Sequence, residues 1–305
     1  MSATSSASLP VARPAWRVRA LDYLELAKPR IAVLVLATVA ASGYVARWGQ
    51  PDPWLLLHAM LGVLLVASSA SGLNQWIERR SDALMKRTAD RPLPAGRLSA
   101  SEVMVFSLTL LLAGVGYLAW STNLTAAGLG LVTWVLYVLV YTPLKPLTSL
   151  NTLAGAIPGA MPVLIGWAAV GGELNPWVDP RGLAIFLLVF VWQFPHFMAI
   201  AWLYREDYSR AGLQMLTVVD PSGRRAGVQA VLCAMALLPI SFVPALSTPT
   251  SGVYLVAAFL LGVGQLFCAA AFMMRLDRTS ARWLLKASLI YLPLMLVLLM
   301  LLPLL

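Results

Sequence analysis

The sequence predicts an all-α polytopic membrane protein: nine transmembrane helices in a bundle, with the N-terminus in the cytoplasm. Three observations carry this. Apolar residues make up 60% of the 305-residue chain and charged residues only 11%, less than half the share found in soluble domains. The apolar residues fall into nine runs, at about 31–46, 54–78, 102–119, 124–141, 150–169, 183–204, 228–245, 253–274 and 283–302. Each is close to the roughly 20 residues that cross a bilayer core. The third observation is the placement of the basic residues.

With the N-terminus inside, Arg13, Arg17, Arg19, Lys28 and Arg30 precede the first span. Arg79, Arg80, Lys86, Arg87, Arg91 and Arg97 follow the second, and Lys145 follows the fourth. Arg205, Arg210, Arg224 and Arg225 follow the sixth, and Arg275, Arg278, Arg282 and Lys286 flank the turn after the eighth. Only Arg47 and Arg181 fall on the outer side, a division of 20 to 2 that a miscounted span would scramble. The net charge of +9 is therefore a topology signal. It gives no reason to invoke nucleic acid, although a basic inner face suits anionic membrane lipids.

Residues 1–30 form a basic cytoplasmic segment, and 31–305 one intramembrane domain. The first segment has no apolar stretch to serve as a signal-peptide core. Its first 21 residues carry serines and no acid, a trait shared with mitochondrial transit peptides. The expected location is the plasma membrane of a bacterium, or the mitochondrial inner membrane of a eukaryote. Leu24 to Arg30 is expected at the membrane surface, with Pro29 at the start of the first span. Cys233 and Cys268 lie inside apolar runs and read as packing residues.

The second span ends in polar residues. Asn74, Glu78 and Asp82 fall at i, i+4 and i+8, so a continuing helix places them in one stripe. Lys86, Arg87, Arg91 and Arg97 follow. Carboxylates repel phosphates, so the two sets belong together only with a divalent cation between them, and Mg²⁺ is the usual choice. A solvated basic loop with balancing acids fits the spacing equally well.

Between the fourth and fifth spans, Tyr141-Thr-Pro-Leu-Lys145 begins a short inner turn, and Lys145 is either a phosphate contact or a topology lysine. The fifth span carries Gly155, Pro158, Gly159, Pro162 and Gly166. Small residues and bends there serve close helix packing, or make room for a large apolar ligand. In the sixth, Pro195 predicts a kink and is followed by His196, an ionisable group within a span and so a functional candidate. The alternative is a histidine that bonds a carbonyl freed by the kink. Asp207 lies eleven residues further on, about three helical turns, so both can face one cavity. Glu206 and Asp207 either form a second cation site or pair with Arg205 and Arg210. His58 reads as interfacial, and the last three spans as scaffold. The rich loops after spans two and six suggest two similar halves.

These residues resemble the intramembrane aromatic prenyltransferase superfamily, and within it the protohaem IX farnesyltransferases (haem O synthases). The superfamily pattern Asn-x-x-x-Asp-x-x-x-Asp is matched by Asn74, Glu78 and Asp82. The haem-branch signature continues as Met85-x-Arg87-Thr88-x-x-Arg91-Pro92-Leu93. Further matches are Tyr141-Thr-Pro-Leu-Lys145, Gly155 to Trp167, Trp192-Gln-Phe-Pro-His-Phe197 and Asp207-Tyr208-x-x-Ala211-Gly212. The resemblance runs from about Lys28 to the C-terminus, and the Trp-Gln-x-Pro-His-Phe element sets this branch apart. Glu78 stands where the general pattern has Asp, and Arg80 where some relatives have an acid; both leave the number of metals open.

The resemblance implies farnesyl transfer from farnesyl diphosphate to a vinyl group of haem B, with addition of water, giving haem O for haem-copper oxidases. It implies Mg²⁺ on Asn74, Glu78, Asp82 and Asp207, and diphosphate on Lys86, Arg87, Arg91 and Lys145. It places His196 among the catalytic residues, and haem A synthase or oxidase assembly factors among the partners. A prenyltransferase for a quinone precursor is one alternative; it is expected to lack the Pro195-His196 element. A transporter of anionic solutes is another; it is expected to carry polar groups near the midplane, whereas the outer half of every span here is nearly free of charge.

Overall fold

The spans begin where the sequence supplies caps, as the computed structural model shows for residues 15–246 and 252–304. Arg13 lies outside those residues. Helix α1 (Ala15–Leu26) comes first, and α2 (Pro29–Ala46) starts on Pro29. In α3 (Pro53–Asp82), the Asp52 carboxylate accepts from the backbone of Trp54 and Leu55. Ser99 and Glu102 form a capping box on α4 (Ala100–Ser121), and Asn123 caps α5 (Leu124–Val135). These side chains satisfy the backbone N–H groups that every helix start leaves free.

The α5 helix continues through a π-helical segment, Leu136–Tyr141, into α6 (Thr142–Leu144). Then come α7 (Asn151–Ala169) and α8 (Pro180–Leu203). Two short helices, α9 (Arg205–Arg210) and α10 (Leu216–Val219), lead to α11 (Arg224–Phe242). The chain closes with α12 (Gly252–Arg275) and α13 (Arg278–Leu301). Among the described residues nine helical stretches are long and apolar enough to cross a membrane. The nine expected spans are all present.

Successive spans pack side by side, from α3 on α4 and α4 on α5 through to α12 on α13, and α13 returns to α2 to close the circuit. α7 and α8 are the most buried spans and α4 the least. Lipid is as apolar as these side chains, so close packing has to hold the helices together. At Gly166 of α7 an added Cβ would lie 2.4 Å from the Val39 carbonyl oxygen of α2. Only a hydrogen fits, and the two backbones touch. Leu112, Trp120, Phe267 and Met274 face outward and are exposed.

The sixth span ends within a residue of the expected 204, and its helix does not continue past it. α8 runs unbroken through Pro195 to Leu203, but Tyr204 leaves the helix at φ −113°, and Asp207 belongs to α9. The expected three-turn relation of His196 to Asp207 therefore fails, because the chain turns between them.

Candidate active site

α3 extends to Asp82, so Asn74, Glu78 and Asp82 do form one stripe. All three are buried. Ser71 Oγ, about one turn before Asn74, and Gln75 Nε2, one residue after it, both donate to the Leu26 carbonyl at the end of α1, at 2.7 and 3.0 Å. That contact fixes where α1 stops. Lys28 then adopts a left-handed conformation, φ 50° and ψ 63°, which costs a side-chain-bearing residue energy. The bend brings Lys28 Nζ to 3.1 Å from Asn74 Oδ1. Burial, with Arg91 close by, pushes the Lys28 ammonium down to about 7.

A second stripe faces the first. Pro143 has no N–H and its ring crowds the carbonyl four residues back. The helix ahead of it widens to the π form, and Thr142 N–H reaches the Tyr137 carbonyl instead. Tyr137, Tyr141 and Lys145 follow one another at intervals of four. Thr142 Oγ1 accepts from Asn74 Nδ2 at 3.2 Å and donates to the Tyr137 carbonyl at 2.8 Å. Lys145 Nζ lies 2.6 Å from Glu78 Oε1 and over the Tyr141 ring. Burial opposes the Lys145 charge, but Glu78 outweighs it and holds the ammonium above its usual range.

The loops complete the basic rim. Arg91 Nη1 lies 2.7 Å from Asp82 Oδ2. Arg87 donates to the Tyr208 hydroxyl at 3.1 Å and sits over the Tyr204 and Tyr208 rings. Met85 packs with Tyr208, Leu213 and Met215, so the loops after α3 and α8 meet. Lys86 is exposed and has no ion-pair partner among the described residues. Arg97 turns away to bind Asp22, Glu25 and the Asp90 carbonyl. It fastens α1 and takes no part in the site. Asp207 pairs with Arg210.

Among the described residues no three His, Cys, Asp or Glu side chains gather into a ready metal-binding group. The first stripe nevertheless fits a hard cation. Asp82 Oδ1 is buried without a hydrogen-bond partner, and Glu78 Oε1 touches Lys145 outside hydrogen-bond geometry. A buried carboxylate oxygen left unpaired is costly, and Mg²⁺ with phosphate oxygens needs only one or two carboxylates.

His196 of α8 faces α13. Its Nδ1 is 2.9 Å from Ser288 Oγ, and its ring stacks on Trp192 at 4.9 Å. It does not bond a carbonyl freed by Pro195. The contact with Ser288 ties His196 to α13, one of the spans read from sequence as scaffold. The fifth-span glycines serve packing: Gly155 lies against the Tyr141 ring, and Gly159 against the Gln193 amide. His58 Nδ1 meets the Tyr117 hydroxyl at 2.6 Å.

Lys28, Tyr137, Thr142 and Ser288 escaped identification as site residues from sequence. Lys28 looks like any topology cation, and nothing in its spacing from Asn74 signals the bend that joins them. Tyr137 had one signal, its distance of four and eight residues from Tyr141 and Lys145.

A sequence model of the UbiA prenyltransferase family matches residues 34–301. The chain belongs to that family. It is 45% identical to a protein named Protoheme IX farnesyltransferase from Solibacter usitatus, over 90% of this chain and 95% of that one. It is 43% identical to a namesake from Koribacter versatilis, over 97% and 98%. Among solved structures it is similar to a UbiA homolog from Archaeoglobus fulgidus bound to DMAPP and Mg²⁺, with TM-score 0.70 and 16% identity over 91% of this chain and 97% of that one. A digeranylgeranylglyceryl phosphate synthase matches with TM-score 0.78 and 15% identity, over 94% and 99%.

Proposed function

We propose that this protein transfers the farnesyl group of farnesyl diphosphate to a vinyl group of haem B, with addition of water, to give haem O and diphosphate. The observation that carries the chemistry is the acidic stripe of α3 in contact with Lys28, Arg91 and Lys145, with Arg87 on the loop that follows it. The relatives named Protoheme IX farnesyltransferase supply the acceptor.

The C1–O bond of the prenyl diphosphate breaks, and its electron pair leaves with the diphosphate. Lys28, Lys145, Arg87, Arg91 and the exposed Lys86 hold that developing charge, which is electrostatic catalysis where charge appears. The terminal vinyl carbon of haem bonds to C1. The cation left beside the porphyrin ring takes a water oxygen and loses a proton. Tyr137 and Tyr141 line the approach to Lys145, and the membrane keeps water from the allylic cation until the carbon bond has formed. Asn74, Glu78, Asp82 and Asp207 would hold Mg²⁺, which would supply positive charge to neutralise the leaving diphosphate. Asp207 joins that set by giving up Arg210. His196 contacts the acceptor haem.

The end of the bundle that carries these residues faces the cytoplasm, by the distribution of basic residues. The membrane is the plasma membrane in a bacterium, or the mitochondrial inner membrane in a eukaryote. Its partners there are haem A synthase or oxidase assembly factors, which receive an apolar haem. The test is incubation of membranes with haem B, farnesyl diphosphate and Mg²⁺, followed by mass analysis of the haem.

A further inference from the structure

The hydroxyl of Ser288 has one proton and two neighbours. Its Oγ is 2.7 Å from the Leu285 carbonyl oxygen and 2.9 Å from His196 Nδ1. If the proton went to Nδ1, two oxygens with only lone pairs would face each other at 2.7 Å. If it goes to the Leu285 carbonyl, both short contacts become hydrogen bonds, because Oγ then accepts Nδ1–H. The second arrangement is favoured, since it leaves no repulsive contact and no unmade bond.

A neutral imidazole carries one N–H, so protonated Nδ1 leaves Nε2 as a bare lone pair. No hydrogen bond reaches Nε2 among the described residues. It is also absent from the sealed polar atoms that lack partners, so it opens on reachable space. The ring cannot readily turn away. Trp192 stacks on it, and Trp192 Nε1 donates to the Ser288 main-chain carbonyl at 2.8 Å. Ser288 thus grips both aromatic residues of α8, through its backbone and through its side chain.

We propose that Ser288 is a positioning residue that holds His196 as the Nδ1–H tautomer and presents Nε2 as a ligand to the iron of an incoming haem. This rests on the placement of His196 at the haem acceptor in the proposed function. A hydrogen bond from the far nitrogen orients a metal-bound histidine and raises its basicity. Loss of such partners costs about 10- to 100-fold in metal affinity or activity.

The experiment has two arms, both on the purified full-length protein. The chain has two histidines, His58 and His196, so labelling with ¹⁵N-histidine yields two imidazoles, and His196→Ala assigns them. The nitrogen shifts of His196 are expected to show protonated Nδ1 and bare Nε2, and Ser288→Ala to give a mixture of tautomers. Ser288→Thr keeps the hydroxyl and restores the parent spectrum. In the second arm haem B is titrated and its absorption spectrum recorded. His196→Ala changes the iron ligation bands, and Ser288→Ala keeps them but weakens binding by about tenfold. A parent protein with protonated Nε2 overturns the role of Ser288. Ligation bands that change in His196→Ala, with no change in affinity or tautomer in Ser288→Ala, also overturn it and leave His196 as a ligand. The expected tautomer with identical haem spectra in parent and His196→Ala overturns iron ligation itself, and with it the placement of His196 in the proposed function.

Discussion

Lys145 Nζ lies 2.6 Å from Glu78 Oε1, with both side chains largely buried. This pair joins the helix that carries the acidic stripe to the turn after α6. Breaking a buried pair by removing one partner leaves a charge without compensation and costs about 3–5 kcal/mol. Lys145→Met is expected to lower thermal stability in detergent accordingly. The double variant Lys145→Met/Glu78→Gln is expected to recover most of that stability and to remain inactive. Recovery of activity with stability would reduce the pair to a structural role.

Asp82 has one oxygen on Arg91 and another without a partner. Asp82→Asn keeps the volume and the Arg91 contact but removes the charge. Haem O formation is expected to fall by about 100-fold or more, the scale of lost charge stabilisation in a reaction, with little loss of folded protein. Parent-level activity at saturating Mg²⁺ would end the assignment of Asp82 as a metal ligand.

Arg87 is held over Tyr204 and Tyr208 with most of its guanidinium donors free. Arg87→Ala is expected to raise KM for the prenyl diphosphate by about tenfold, equivalent to one charge-assisted hydrogen bond. KM for haem stays nearly constant. Steady-state kinetics with each substrate varied in turn distinguishes this from the converse pattern, which moves Arg87 to the haem propionates.

An added Cβ at Gly159 would lie 2.0 Å from Gln193 Oε1, and Gln193 Nε2 donates to the Ala156 carbonyl at 2.9 Å. Gly159→Ala is expected to displace that amide and cost about 1–3 kcal/mol. Gln193→Ala in the same chain removes the clash, so the pair is expected to be more stable than the sum of the single effects. Additive losses in thermal unfolding would show that the glycine is needed for another reason.

The spans were legible because lipid demands long apolar runs and the basic residues sort by side. The stripe from Asn74 to Asp82 was legible because one helix carries it and its period is regular. What escaped depends on contacts between elements. The closeness of Lys28 to Asn74 depends on a left-handed residue and on two side chains of α3 that hold the end of α1. The separation of Asp207 from His196 depends on a single residue, Tyr204, leaving the helix. Ser288 is one serine in an apolar span, and its value comes from α8 packing against α13.

The most direct test uses membranes that hold the protein, supplied with haem B, farnesyl diphosphate and Mg²⁺. The expected product is a haem whose mass has increased by a farnesyl group and a hydroxyl group, formed with release of one diphosphate and one proton. Omitting Mg²⁺ is expected to abolish it, and replacing Asp82 by Asn to lower it by about 100-fold or more. Unchanged haem alongside prenylation of a quinone precursor by the same membranes would contradict the assignment.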